Sequence, residues 1–391
     1  MDNNIKYIGL YVHIPFCLHK CAYCDFCSSV ATDKVQMQAY VDALAMDIVN
    51  CGKAVEGDNV IVDSVYFGGG TPSLLPKKDI EYLTDTIYEA FRVTEDAEVT
   101  FEVNPATLDR AKAKALYDCG VNRLSIGMQS AHDNELEALS RVHNLKEFLS
   151  CYKTARKAGF NNINVDVMYG IPEQTEESFM QTLEVVCDLA PEHVSMYGLR
   201  IEDGTPFAVN RSELALPGED EEYSMFRKGR SYLKEHGYSH YEISNFAREG
   251  KESKHNYKYW MCEEYIGVGV AAHSYYGGKR YARITDVDRY ISYICGDETP
   301  NYDDIIVASS VEEITPAALE VEYVMLGLRT SRGVVKADYQ RRFGISFDEK
   351  YSERIREYAE AGFIINTEKK CRFSPEGMYV SNRILADILD L

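Results

Sequence analysis

The chain has 391 residues, a net charge of −20 at pH 7 and 45% hydrophobic residues. This length is sufficient for a large core and more than one domain. The negative charge argues against a general nucleic-acid or anionic-membrane binder. The first residues do not fit a signal peptide and no apolar run reaches about eighteen residues, so we expect a cytoplasmic protein that does not span a membrane.

Four cysteines lie close together after a strand predicted at 8–13. Cys17, Cys21 and Cys24 have the spacing C-x3-C-x2-C, and Cys27 follows them. Closely spaced thiolates on one loop suit an iron–sulfur cluster, whereas a zinc site usually takes two separated ligand pairs. A zinc site and a simple electron carrier remain alternatives. If Cys27 is not a ligand, one iron stays open for a small molecule, and the sequence leaves the role of Cys27 open.

Strands and helices alternate over the first half of the chain. The hydrophobic patterns predict strands at 8–13, 61–67, 98–103, 122–127, 162–168 and 193–199, with helices at 33–51, 77–92, 108–119, 145–158 and 175–189. This order favours right-handed βαβ units and a parallel sheet. Because six units fall short of eight, we expect an α/β fold with a partial (β/α)6 TIM-like barrel.

Unusual residues follow the predicted strands at their carboxyl ends, where parallel α/β folds carry their sites. GGGTPS at 68–73 follows the second strand, and its glycines let the backbone approach a ligand closely. It is not a P-loop, because GK[ST] is missing. Glu102 and Asp166 lie at or near strand ends among apolar residues. An acid near ribose hydroxyls and an arginine near a carboxylate would suit a nucleoside amino acid.

Beyond residue 200 the alternation stops, and a charged helix at 219–236 and a strand-like segment at 238–244 precede a polar stretch. That stretch ends in HNYKYW at 255–260. His255 is either an ordinary histidine or a haem ligand packed among aromatic rings, and His273 is a second candidate of the same rank. GVGVAA at 267–272 fits a dinucleotide-binding pattern but lacks its βαβ context, so we expect a close-packed turn there.

The last segment, 311–391, predicts helices at 316–329, 336–343 and 347–361, a hairpin at 363–373 and a helix at 375–390, which is the order of a winged helix. Acidic residues slightly outnumber basic ones here, which favours a lid or docking module over a DNA reader. A loop near 297–310 with Pro300 is the predicted boundary. We expect a barrel core at 1–200, an extension with HNYKYW at 201–310 and a small winged-helix-like domain at 311–391.

Taken together, the motifs resemble the radical S-adenosylmethionine (SAM) family, and within it the oxygen-independent coproporphyrinogen III oxidases. The resemblance covers nearly the whole chain and is carried by YVHIPFC, the three-cysteine spacing, GGGTPS, and SIGMQS with Arg141 twelve residues after Gln129. It implies that Cys17, Cys21 and Cys24 hold a [4Fe–4S] cluster whose open iron binds SAM. The positions that match residues lining SAM sites are Tyr11, Gly69, Gly70, Thr71, Glu102, Gln129, Arg141, Asp166 and Gly198.

Two features favour the haem chaperone branch of this family. True oxidases have a fourth cysteine where this chain has Phe26, and HNYKYW resembles an HNxxYW motif associated with haem binding. The resemblance implies a protein that binds haem and transfers it to an acceptor. The haem-binding candidates are His255, Asn256, Tyr259, Trp260 and His273.

An oxidase that decarboxylates porphyrinogen propionates to vinyl groups is the alternative to the chaperone, and the sequence leaves enzymatic activity open. The resemblance does not identify the electron donor or the haem acceptor, for which a membrane respiratory protein is one candidate. It also leaves open whether a second SAM binds.

Overall fold

The computed structural model describes residues 5–31, 33–295, 306–307 and 310–390. Six parallel strands lie side by side in chain order: β1 (Lys6–Ile14), β2 (Val60–Gly69), β3 (Val93–Val103), β4 (Arg123–Gln129), β5 (Ile163–Tyr169) and β6 (His193–Gly198). The helices that connect them span Lys34–Val55, Lys77–Ala90, Arg110–Asp118, Asp133–Ala138, Leu145–Ala158 and Glu176–Leu189. The predicted partial α/β barrel is confirmed.

A seventh parallel strand, β7 (Tyr265–Val268), pairs with the free edge of β1, so the prediction of six was short by one. Gly267 lies in this strand, and a Cβ there would meet the His273 carbonyl oxygen at 2.2 Å. Gly269, with φ of 95°, forms the turn that follows. The turn expected in GVGVAA is therefore confirmed at Gly269, but Gly267 belongs to the sheet.

Antiparallel strands extend both edges of the parallel sheet. Next to β7 lie His273–Tyr276, Lys279–Ala282 and Glu312–Glu313, and next to β6 lie Asn245–Ala247 and Ser239–His240. The strand-like segment predicted at 238–244 is therefore a strand only at Ser239–His240, and the second strand begins after it. Further helices span Pro206–Val209, Glu219–Glu235, Lys254–Trp260 and Val287–Cys295. The helix Lys254–Trp260 was missed, because its sequence was interpreted as a polar stretch.

The two faces of the barrel strands differ in chemistry. On β1 the alternate residues Ile8, Leu10 and Val12 are fully buried in the core that packs against the outer helices. The opposite face of the strands carries polar residues into the barrel interior, among them Tyr66, Glu102, Arg123, Asn164 and Asp166. Period-two alternation in the strands therefore separates a packed apolar shell from a polar interior that can hold a ligand.

The C-terminal region has the helix and strand order of a winged helix, as predicted. Its helices span Pro316–Gly327, Lys336–Phe343, Phe347–Glu360, Pro375–Tyr379 and Ser381–Leu389, and its three-stranded sheet contains Val334–Val335, Ile364–Asn366 and Lys370–Phe373. The last helix, predicted as one, is interrupted at Val380. These elements share a second apolar core, which includes Met261 and Cys262.

The division into three parts stays a prediction, and most of the predicted boundary at 297–310 lies outside the described residues. Among the helices that the structure describes, none is long and apolar enough to cross a bilayer.

Candidate cofactor and ligand site

A cavity of about 1300 Å³ lies at the carboxyl ends of the barrel strands. Its walls come from the cysteine loop, the polar barrel interior, the helix Glu219–Glu235 and the C-terminal region. Pockets for one small molecule usually have about 300 to 1000 Å³. The cavity is therefore large enough for more than one ligand.

Backbone hydrogen bonds hold the cysteine loop over this cavity. The Thr71 N–H donates to the Phe16 carbonyl at 2.8 Å, and the Ala22 N–H donates to the Leu139 carbonyl at 3.3 Å. Ala22 and Tyr23 also pack against a small apolar cluster at the barrel rim. This arrangement places Cys17, Cys21 and Cys24 together in the cavity wall.

Cys27 points elsewhere. Its Sγ lies 3.5 Å from the Thr285 carbonyl oxygen, and its own carbonyl oxygen accepts a hydrogen bond from His13 Nε2 at 2.9 Å. Cys27 is absent from the cavity wall that the described residues form, whereas the neighbouring Phe26 is part of it. The geometry therefore favours the non-ligand interpretation of Cys27.

The glycine loop fits closely around the first cysteine. A Cβ at Gly70 would lie 3.0 Å from Cys17 Sγ and 2.8 Å from the Phe16 carbonyl oxygen. Gly69 has a φ of 111°, and a Cβ there would meet the His13 ring at 2.6 Å. Thr71 donates its hydroxyl to Cys17 Sγ at 3.6 Å. The loop can therefore present backbone groups to a ligand beside the cysteine, as its sequence predicts.

The two predicted acids lie in the barrel interior. Burial raises the pKa of Glu102 to about 7, although the Tyr66 hydroxyl donates to its Oε1 at 2.9 Å and favours the ionised form. Burial likewise raises the pKa of Asp166, against hydrogen bonds from Asn164 at 2.7 Å and Ser125 at 3.4 Å. Both carboxyl groups are positioned to accept hydrogen bonds from a bound hydroxyl-bearing ligand.

Gln129 and Arg141 meet at the end of β4. Gln129 has a φ of 63°, and the pairing of β4 with β5 shifts register between Gly127 and Gln129. Arg141 donates to Cys21 Sγ at 3.4 Å and to the Gly127 carbonyl at 3.2 Å. In the described structure Gln129 Oε1 and Arg141 Nε are buried without a hydrogen-bond partner. A polar ligand in the cavity would satisfy such groups.

Two predicted positions differ in their relation to the cavity. Gly198 lines it, and a Cβ at this position would meet the Tyr169 ring at 2.9 Å. Tyr11 is not part of the wall formed by the described residues. Its hydroxyl contacts His13 Nδ1 at 3.1 Å, and its ring stacks on Tyr66.

Tyr66, which contacts Glu102 directly, was missed by the sequence analysis. Its signal was the two-residue alternation that places it on the interior face of β2.

The HNYKYW helix, residues Lys254–Trp260, lies against the same cavity. Asn256 and Trp260 are part of the cavity wall. His255 is buried, with Nδ1 at 3.1 Å from Ser64 Oγ and Nε2 at 2.8 Å from the Tyr259 hydroxyl. Burial, followed by the nearby Lys258, lowers the pKa of His255 to about 3, so the ring is neutral.

His273 is exposed on the antiparallel strand His273–Tyr276 and does not belong to the wall that the described residues form. The structure therefore brings only Asn256 and Trp260 of the five haem candidates to the cavity surface.

Comparison with known proteins places this architecture in a family. The model of the Radical SAM superfamily matches residues 11–186, and that of the HemN C-terminal domain matches residues 314–380. A Bacillus subtilis (strain 168) protein named "Heme chaperone HemW" is 35% identical over 383 residues, which cover 97% of this chain and 98% of that protein. The chain belongs to the HemW family of radical SAM proteins. Membership favours the iron–sulfur interpretation of the cysteine loop over the zinc and electron-carrier alternatives.

Two further comparisons agree with HemW membership. The Lactococcus lactis subsp. lactis (strain IL1403) protein named "Heme chaperone HemW" is 33% identical over 382 residues, covering 97% of this chain and 96% of that protein. The solved structure of coproporphyrinogen III oxidase (HemN) from Escherichia coli superposes with a TM-score of 0.83 at 24% identity, over 98% of this chain and 90% of that one. That structure has the same fold.

The residues of this HemW family member fit the cofactors that the radical SAM superfamily implies, a [4Fe–4S] cluster and SAM. Three thiols share one wall of the cavity, and Gly70 leaves no room for a side chain beside Cys17. Unpartnered polar atoms of Gln129 and Arg141 lie buried near the same wall. This donor set combines thiolates for iron with polar groups for a charged amino acid.

Proposed function

We propose that this protein is a haem chaperone that binds haem beside a SAM-ligated [4Fe–4S] cluster and transfers the haem to an acceptor protein. The observation that carries the proposal is the shared cavity, whose wall contains both the three cysteines and Trp260 of HNYKYW. The names of the two relatives above point in the same direction. A cavity of about 1300 Å³ can hold SAM together with a flat macrocycle.

We assign the cluster and SAM to one side of the cavity. Cys17, Cys21 and Cys24 are the proposed cluster ligands, and the bound cluster and SAM would supply one-electron chemistry. Of the chain's own residues, Glu102 would accept hydrogen bonds from ribose hydroxyls and Arg141 would pair with the SAM carboxylate. The remaining proposed SAM contacts are Gly69, Gly70, Thr71, Gln129, Asp166 and Gly198, with Tyr11 supporting them from behind the wall.

The HNYKYW helix would contribute a haem-binding surface. The Trp260 indole offers an aromatic face to a macrocycle, and the Asn256 amide offers a hydrogen-bonding group. His255 already has partners at both ring nitrogens, Ser64 and Tyr259, so we assign it the role of positioning Tyr259 in this state. For His255 to ligate haem iron, Tyr259 would have to give up its hydrogen bond.

Haemin titration of the reconstituted protein tests the proposal. The wild type should give a saturable Soret shift, and Trp260→Ala should weaken binding about tenfold by removing a stacking surface. His273→Ala is the matched control, because His273 is exposed outside the cavity wall. No saturable shift in the wild type, or equal affinities of Trp260→Ala and wild type, would contradict the proposal.

An anaerobic assay separates the chaperone from the oxidase. Protein with SAM, a reductant and coproporphyrinogen should cleave SAM without forming protoporphyrinogen. Formation of protoporphyrinogen at a rate coupled to SAM cleavage would replace the chaperone proposal by the oxidase. We further propose a cytoplasmic location, a separate electron donor and an acceptor protein that binds haem.

A further inference from the structure

We propose that Arg200 and Arg329 form a paired binding site for the propionate carboxylates of a tetrapyrrole in this cavity. This inference rests on the proposed function, because it names the groups that hold the same ligand. Lys20 of the cysteine loop also lines the cavity, but its ammonium group donates to a backbone carbonyl of the same loop at 3.3 Å, and Lys258 of HNYKYW forms an ion pair with Asp63. The two arginines come from different parts of the chain.

The fold brings the two guanidinium groups to one cavity. Arg200 lies two residues after the end of β6, and Arg329 follows the helix Pro316–Gly327 of the C-terminal region. Arg200 is exposed, and Arg329 is half-buried. Arg329 donates to Asn382 Oδ1 at 2.6 Å, which fixes the direction of its side chain. The site therefore spans the barrel and the C-terminal region.

Neither guanidinium has a neutralising partner in the described structure. Acidic side chains also line the cavity, including Glu202, Glu219 and Glu222, yet no described carboxylate comes within 4.0 Å of Arg200 or Arg329 to form an ion pair. Burial lowers the pKa of Arg329, and the positive charge of Arg200 lowers it further. Two like charges that face one cavity without an ion-pair partner are stabilised when an anion binds between them.

The remaining cavity wall fits the rest of a tetrapyrrole. Phe226, Trp260, Phe363 and Tyr379 bring aromatic rings from separate segments to the same cavity. A ligand that matches this surface is flat and apolar and carries at least two carboxylates. Haem has two propionates and coproporphyrin III, the planar oxidised form of coproporphyrinogen, has four, so both share this chemistry. Arginine's planar fork binds a carboxylate through two parallel hydrogen bonds, which lysine cannot reproduce.

Titration with three probes tests the pair in the reconstituted full-length protein. The probes are haemin, haemin dimethyl ester and coproporphyrin III, and the variants are Arg200→Gln, Arg329→Gln and the double variant. Each single variant should bind haemin about tenfold more weakly, and the double variant about a hundredfold. The wild type should bind the ester about as weakly as the double variant binds haemin. Arg289→Gln, an exposed arginine outside the cavity, is the matched control.

The outcomes separate this inference from the proposed function. If the wild type binds haemin, and Arg200→Gln, Arg329→Gln and the double variant bind haemin and coproporphyrin III as tightly as the wild type does, only the arginine pair is rejected. If the wild type binds neither tetrapyrrole, both proposals are rejected. If the variants lose affinity for haemin alone, or for coproporphyrin III alone, the result supports the arginine pair and identifies the tetrapyrrole that it binds. Because Arg200 is exposed, Arg200→Gln should keep the wild-type fold, which circular dichroism checks.

Discussion

Glu98 accepts a hydrogen bond from the His255 backbone N–H at 3.1 Å, although 157 residues separate them in the chain. The same carboxylate accepts from the Lys254 N–H at 3.1 Å and from the Ser253 hydroxyl at 3.3 Å. Glu98 thus binds the first turn of the HNYKYW helix to β3, where its negative charge also complements the positive end of the helix. The orientation of Asn256 and Trp260 toward the cavity depends on this anchor.

Replacing Glu98 by alanine should therefore destabilise the protein and weaken haem binding at the proposed site. Two buried donors and one partly buried donor lose their acceptor, which we expect to cost about 3 kcal/mol of the free energy of unfolding. Urea unfolding and haemin titration measure the two effects. Glu95→Ala is the control on the same strand, because Glu95 is exposed. If the two variants had equal stability and haemin affinity, Glu98 would not be an anchor.

Cys27→Ala should retain the iron–sulfur cluster, whereas Cys24→Ala should lose it. The reason is that Cys24 lies in the cavity wall, while the Cys27 thiol contacts the Thr285 carbonyl and lies against the hydrophobic core. Iron and sulfide content after anaerobic reconstitution, with the visible absorbance of the cluster, measures the difference. A Cys27→Ala protein with as little iron as Cys24→Ala would show that Cys27 is a ligand.

The ion pair between Asp47 and Arg283 should be among the strongest contributions to stability. Both side chains are buried, two N–O distances are 2.8 Å, and Asp47 also accepts hydrogen bonds from Tyr290 and the Gly269 N–H. Asp47→Ala leaves the buried guanidinium without its partner, which we expect to cost about 3 to 5 kcal/mol.

Thermal and urea unfolding test this prediction, with Asp42→Ala on the same helix as the exposed control. Despite the opposing effect of burial, the charge and hydrogen bonds of Arg283 lower the pKa of Asp47. Its contribution should thus persist at neutral pH and disappear only as the pH falls through that lowered value. An Asp47→Ala protein as stable as Asp42→Ala would contradict the assignment.

Local sequence patterns predicted the barrel because each βα unit has its own hydrophobic period and end signals. They did not predict β7, which has four residues, contains Gly267, and is stabilised by pairing with the distant β1. The helix Lys254–Trp260 was missed for a similar reason. His, Asn and Tyr are weak helix formers, and the acceptor for the first backbone donors of this helix, Glu98, lies far away in sequence.

In the candidate site, too, some residues could be predicted from local sequence patterns and others could not. Strand-end residues such as Glu102 and Asp166 were predicted because parallel strands bring their carboxyl ends to one edge. The interior position of Tyr66 and the separation of Cys27 from the cavity depend on contacts between distant segments. For Cys27 the contact is Thr285, 258 residues away. Local spacing contains no information on such a contact.

The affinity for SAM should depend on pH through Glu102, whose pKa burial raises to about 7. Below this pH the carboxyl group holds a proton, and it must lose that proton to accept hydrogen bonds from both ribose hydroxyls. Affinity should therefore rise with pH, by up to about tenfold per unit below the pKa, and become constant above it. Equilibrium dialysis of SAM with the reconstituted protein at constant ionic strength measures this profile. Glu102→Gln, which cannot titrate, should bind more weakly and show no such rise; a wild-type profile as flat as that of the variant would contradict the role of Glu102.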